Sequence, residues 1–166
     1  HAIRLQRLGW HNPHVDVDAA WILLPHDLSI ALHILGRLPP VSFARSLCRE
    51  GPDRAVLAVL EDDAGPPVTI EISIVSPETR RSCTVVGERL TAQLTNSYDE
   101  ALLLRHGAPG AQSAEVSTLM CDGKLPLLAE LERFLGYLDG GPPPDSMAAD
   151  GLLIVERLAG IRRLAG

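Results

Sequence analysis

Several absences narrow the reading before any motif is sought. Lys124 is the only lysine among 15 lysines and arginines, and a GC-rich genome accounts for that bias without a functional reason. The formal net charge of −6 leaves little to attract nucleic acid. No apolar run approaches the roughly 20 residues that a membrane-spanning helix needs. No basic segment leads into an apolar one at the N-terminus, so no signal peptide is expected. The three cysteines, Cys48, Cys83 and Cys121, are far apart and form no C-x-x-C pair. That pattern points to reduced thiols in a cytoplasmic protein, rather than to a disulfide framework or a zinc site.

The glycines exclude more. There are 14, and no two are separated by a single residue. A dinucleotide-binding G-x-G-x-x-G turn is therefore impossible in this chain. Gly123-Lys124 is followed by Leu125, which rules out a G-K-[ST] phosphate loop. Neither a G-x-S-x-G nucleophile elbow nor an H-E-x-x-H zinc motif occurs.

What remains is a chain of 166 residues, 46% hydrophobic and 22% charged, suited to one globular domain with a sizeable core. Residues 2–10 read as a strand, with Ile3, Leu5 and Leu8 set against Arg4, Gln6 and Arg7. His11-Asn12-Pro13-His14 reads as a loop. Residues 19–35 are strongly apolar. Leu24, Leu28, Ala31, Leu32 and Leu35 recur at helical spacing, and Ile30 and Ile34 widen the stripe. Pro25 suits a first helical turn, Asp27 then lies near the positive helix end, and Gly36 is a stop signal.

A block of strand candidates follows. Residues 41–47 alternate, 54–60 form a short apolar run, and 62–66 are turn-like. Val68, Ile70, Ile72 and Ile74 alternate with Thr69, Glu71 and Ser73, which predicts a sheet with one buried face. Gly87-Glu88 joins a predicted hairpin, 82–86 with 89–95, and 101–105 reads as one more strand. Residues 107–114 read as a loop. Two helices close the chain, over 125–138 and about 146–164, the second capped by Asp145 or Ser146. Consecutive strands with segregated helices predict an α+β domain: an open, mainly antiparallel sheet of about six strands with helices on one face. The polar residues of the other face suit solvent or a partner protein.

Two histidine sets carry possible chemistry. His11-x-x-His14, with Asp16 and Asp18, has the residue types of a metal site. H-x-x-H in a polar loop is a weak signal, a solvent-facing loop is preferred, and no metal is expected. His26 follows Pro25, and a helix start there lowers its pKa and suits a neutral proton acceptor. A capping or packing histidine fits the same spacing. His33, two turns on, reads as a half-buried helix edge.

Residues 21–36, Trp-Ile-Leu-Leu-Pro-His-Asp-Leu-Ser-Ile-Ala-Leu-His-Ile-Leu-Gly, resemble the first helix of the C-terminal domain in the Gfo/Idh/MocA oxidoreductases. Val85 to Thr91 is similar to a strand pair of that family. Leu131 to Leu138 with Gly140 and Pro142, and then residues 152–165, resemble its last two helices. The resemblance covers nearly the whole chain through the order and spacing of these pieces. It implies a glyceraldehyde-3-phosphate dehydrogenase-like C-terminal domain. In such an enzyme NAD(P) is held mainly by an N-terminal Rossmann domain that this sequence does not include. The present domain would bind a sugar-like substrate and form a homo-oligomer through its open sheet face.

The resemblance makes His26 the catalytic proton-transfer residue, with Trp21, His11 and His14 lining a sugar pocket. It assigns no cofactor-binding residue here. Ile22 stands where the family's D-x-x-x-H pattern has its acid, which puts ordinary alcohol dehydrogenation in doubt. Three readings follow: the substrate and oligomerisation domain of an NAD(P)-dependent oxidoreductase of CH–OH groups, a non-catalytic module that keeps the fold, or a metal-dependent enzyme built on His11 and His14.

Overall fold

A computed structural model describes residues 1–10, 17–48, 54–96, 99–111, 115–121 and 125–166. The elements are β1 (Ala2–Trp10), α1 (Ala19–Leu35), β2 (Val41–Ser46), β3 (Ala55–Leu60), β4 (Val68–Ser73) and β5 (Val75–Val86). They are followed by β6 (Leu90–Leu94), β7 (Ala101–His106), β8 (Glu115–Met120), α2 (Pro126–Leu138) and α3 (Ala148–Ala165). The strands form one sheet in the order β2-β3-β4-β1-β5-β6-β7-β8. Every neighbouring pair is antiparallel except β1 with β4. The predicted α+β class and open, mainly antiparallel sheet are present, and the sheet has eight strands where about six were expected.

The extra length comes from two places. β5 is 12 residues long and begins at Val75, far before the expected 82–86. β8 has no amphipathic alternation to announce it: Val116, Thr118 and Leu119 are all exposed, and its hydrogen bonds to β7 alone make it a strand. The hairpin between β5 and β6 turns where predicted. A Cβ on Gly87 would come within 2.9 Å of the Leu90 carbonyl oxygen, so glycine is required there.

The core lies between one sheet face and two helices. Ile3 and Leu5 of β1, Val56, Ala58 and Leu60 of β3, and Val68, Ile70 and Ile72 of β4 point to the same side. Leu24, Leu28 and Ala31 of α1 and Leu158 and Ile161 of α3 close over them. The period-2 pattern of β4 is therefore that of a strand with one buried face. In β1 the inward set is Ile3, Leu5 and Arg7, not Ile3, Leu5 and Leu8 as the sequence suggested. Register with Val68, Ile70 and Ile72 puts Arg7 on the helix side. Gly9 lies at the break in register between Leu8 and Trp10, as expected of a bulge.

The helices differ sharply in cover. α1 ends on Gly36, whose φ of 68° is the left-handed stop that glycine tolerates best. α2 buries none of its residues. The N-cap of α3 is Met147, one residue after Ser146 and two after Asp145, the predicted caps. The Met147 N–H donates to the Asp150 carboxylate at 2.8 Å, while Asp145 pairs instead with Arg133 of α2.

Ile70 is fully buried under α1, whereas Leu131 on α2 is half exposed. Ile70→Ala should therefore cost about 2–5 kcal/mol in denaturant unfolding. Leu131→Ala should cost far less, and equal losses would contradict the placement of the core under α1 and α3.

Candidate functional site

The sequence expectation for α1 requires correction first. The helix begins at Ala19, capped by the Asp18 side chain, which accepts from the Trp21 N–H at 3.0 Å. Pro25 is thus inside the helix, and His26 lies beyond its second turn. The positive end of the helix is too far away to act on His26, because that field fades within the first turn. Asp27 does not cap anything. It is 2% exposed and its carboxylate accepts two bonds from Arg7 on β1, Nε to Oδ2 at 3.2 Å and Nη2 to Oδ1 at 3.0 Å.

This two-point pair is the centre of the site. A carboxylate stripped of water must be paired, and the guanidinium fork matches its geometry. Burial pushes the Asp27 carboxyl above its ordinary range, and the Arg7 charge and hydrogen bonds work against that push. Arg81 of β5 stands directly across from Arg7 in the antiparallel register. Two guanidiniums facing each other repel, and the Asp27 charge offsets that repulsion. Cys83, two residues on, is raised by loss of hydration and then by Asp27.

His26 itself is exposed on the outer side of this cluster. The protein around it removes part of its hydration, and that effect, followed by the positive charge of Arg7, lowers its pKa from 6.5. Asp27 opposes the shift and Arg81 adds to it. The resulting imidazole favours its neutral form at neutral pH and is free to accept a proton. The lowering comes first from lost hydration and then from the arginines of the sheet, not from a helix terminus.

The other sequence candidates are only partly brought together. His11 and His14 lie outside the described residues. Trp21 is 40% exposed, with the Arg162 guanidinium 5.9 Å from its ring centre. Arg162 also pairs with Asp18 at 2.8 Å, which ties the start of α1 to the end of α3. Trp21 and His26 are five residues apart, about 140° around the helix, so they face different directions. Ile22 lies one turn before His26 on the same side. His33 lines a hollow of about 800 Å³ between α1, α2 and the start of α3, with Ile30, Ala129 and Arg133.

A second hollow, of about 570 Å³, lies on the open sheet face. Ser82 donates to the Gln6 side-chain oxygen at 3.4 Å, and Gln6 donates to Glu71 at 2.9 Å, so a polar chain crosses three strands there. Sequence reasoning missed Arg7, Asp27 and Arg81 as a unit. Their only linear signal is an arginine at an odd, inward position of β1.

The sequence between β1 and α1 contains no glycine, and the G-x-G-x-x-G pattern that cradles a pyrophosphate occurs nowhere in the chain. Among the described residues no three His, Cys, Asp or Glu side chains converge as metal ligands. No helix among them is long and apolar enough to cross a membrane.

The same fold occurs in solved oxidoreductase structures, each matched over only about half of its own length. The chain is similar in structure to UDP-N-acetylglucosamine 3-dehydrogenase GnnA from Acidithiobacillus ferrooxidans, with a TM-score of 0.83 and 20% identity over 99% of this chain and 53% of that one. It is also similar to levoglucosan dehydrogenase, seen in complex with NADH and levoglucosan, with a TM-score of 0.79 and 14% identity, covering 99% and 56% of the two chains. An NAD binding oxidoreductase from Klebsiella pneumoniae gives a TM-score of 0.73 at 16% identity, again over 99% and 56%. The chain therefore spans about half the length of these solved structures. No protein-family model and no curated protein matches the sequence.

Two outcomes are expected. Asp27→Ala leaves the Arg7 charge unpaired and should cost about 3–5 kcal/mol in urea unfolding, whereas Arg7→Met with Asp27→Leu together should cost much less. The second concerns pH. Because the folded His26 titrates below 6.5, the unfolded chain binds more protons as the pH approaches 6.5 from below. Stability should thus rise with pH from the folded midpoint up to about 6.5 and then level off. His26→Asn should flatten that rise; unfolding curves across the same pH series, identical in slope for both proteins, would contradict the shift.

Proposed function

We propose that this chain is the substrate-binding and oligomerisation domain of an NAD(P)-dependent oxidoreductase that acts on a sugar or cyclic polyol. The observation that carries the reading is His26: an exposed imidazole biased to its neutral form, backed by a buried ion pair, in a fold shared with sugar-acting dehydrogenases. Oxidation of a CH–OH group to a carbonyl releases the hydroxyl proton, and a neutral histidine at the substrate is suited to accept it. NAD(P) belongs to a separate Rossmann domain N-terminal to this one, a reading supported by the lack of a G-x-G-x-x-G pattern in this sequence. The chain alone is not a competent catalyst. Trp21, His11 and His14 are proposed to line the sugar pocket, with one face of Trp21 already approached by Arg162.

The open sheet face is proposed to carry the contact between copies of the protein, with Gln6, Glu71, Ser82 and Gln93 in it. The free thiols of Cys48, Cys83 and Cys121 suit a cytoplasmic setting.

One observation favours a second reading, a binding module that retained the fold without the chemistry. Ile22 occupies the helical position one turn before His26, where the resemblance expects an acid, and an isoleucine neither takes nor orients a proton.

The protein encoded by the complete reading frame decides between them. It should reduce NAD or NADP with a sugar or nucleotide-sugar substrate, and His26→Ala should abolish turnover while the circular dichroism and melting curve are retained. Full turnover in His26→Ala would remove this histidine from the reaction. Failure of any such substrate to support turnover in the wild type would favour the binding module. Sedimentation of the same protein should show an oligomer.

A further inference from the structure

We infer that Arg7 is a positioning residue for His26, acting through Asp27. The inference deepens the oxidoreductase reading above and rests on it for its catalytic meaning. Three features of the structure support it.

The first is local backbone weakness. Pro25 immediately precedes His26 and has no N–H, so the carbonyl of Trp21 loses its helical partner in the middle of α1. The turn that presents His26 is held by fewer backbone bonds than its neighbours. Asp27, two residues after the proline, is pinned to β1 by the two Arg7 bonds at 3.0 and 3.2 Å. A side-chain brace thus stands where the helix ladder is interrupted.

The second is the chemistry of the brace. An apolar pair of similar volume at a buried contact is often at least as stable as an ion pair. The Arg7 and Asp27 side chains are only 15% and 3% exposed, and the surrounding core of Leu5, Leu28 and Ile72 has no other charge of its own. A buried pair of this kind specifies geometry: the fork of Arg7 accepts one orientation of the Asp27 carboxylate, hence one rotation of the helical turn.

The third is the charge that reaches the ring. Asp27 is adjacent to His26 in sequence, and its charge raises the pKa of the imidazole. Arg7 from β1 and Arg81 from β5 oppose it. Cys83 of β5 faces the same cluster as a neutral thiol, and β4 contributes the uncharged Ile72 opposite Arg7. Ile22, where the resemblance expects an acid, supplies no charge, so no second carboxylate joins Asp27 in opposing the two arginines.

The test is the titration of the His26 ring by NMR in this chain, with His26→Asn used to assign its signals. Arg7→Met should move the His26 midpoint upward. Asp27→Asn, which keeps the shape and an acceptor oxygen for Arg7, should move it downward. Arg7→Lys, which keeps the charge but not the fork, should leave the midpoint low. In an active full-length protein it should reduce kcat with little change in KM. If Arg7→Met does not fold, the downward shift in Asp27→Asn carries the test. Midpoints that ignore both substitutions overturn the inference, whether or not the enzyme is active. Midpoints that follow the charges in a protein with no turnover overturn the oxidoreductase reading alone.

Discussion

Asp27 is a carboxylate with no water to turn to, and much of the structure around it follows from that. It is satisfied only if α1 crosses β1 at the level of Arg7, because the guanidinium fork permits a narrow range of approach. The crossing in turn sets which residues of the helix meet the sheet: Leu24, Leu28 and Ala31 drop onto Ile3, Leu5 and Ile70, and His26 is left on the outside. Moving the helix by one residue would rotate it by about 100° and bury His26 in place of Asp27. The hydrophobic contacts supply most of the energy, and they tolerate small slides. The ion pair does not.

The sheet is covered unevenly. α1 and α3 pack over β1 to β4, where Leu5, Val56, Ala58, Ile70 and Ile72 are buried. Beyond β5 the described residues include no helix packed on the sheet; Leu119 on β8 is 53% exposed, and α2 has no buried residue. Segments with few buried contacts open at lower free-energy cost than the core. Hydrogen exchange should therefore be slowest at the centre of the sheet, and the polar chain of Ser82, Gln6 and Glu71 lies on that most protected part.

Much of this was legible in the sequence where a local rule governs the outcome. The alternation of 68–74 gave β4 its buried face, and Gly36 marked the C-terminal end of α1. The glycine spacing excluded a G-x-G-x-x-G turn from the sequence itself. What was not legible depended on partners distant in sequence. Pro25 read as a first turn because proline disfavours helix interiors, yet the packing of residues on both sides of it outweighs that cost. Asp27 read as a helix-end charge because its partner is 20 residues earlier. β8 read as nothing because neither of its faces is buried. For His26 a helix terminus was expected to lower the pKa; the lowering instead comes first from lost hydration and then from Arg7 of the sheet, with a smaller part from Arg81.

The position of β1 has a consequence for how the chain reaches this state. It is the first strand in sequence, yet it lies at the centre of the sheet between β4 and β5. Gln6 meets its partners Glu71 and Ser82 across separations of 65 and 76 residues. Closing such distances costs chain entropy before any pairing repays it, and non-local pairing of this kind makes folding slow. During synthesis β1 emerges as an apolar strand with both edges open and waits for residues 68–86. Arg4, Gln6 and Arg7, interleaved with Ile3, Leu5 and Leu8, keep that waiting strand from being uniformly apolar, which is how unpaired edges are ordinarily protected from association.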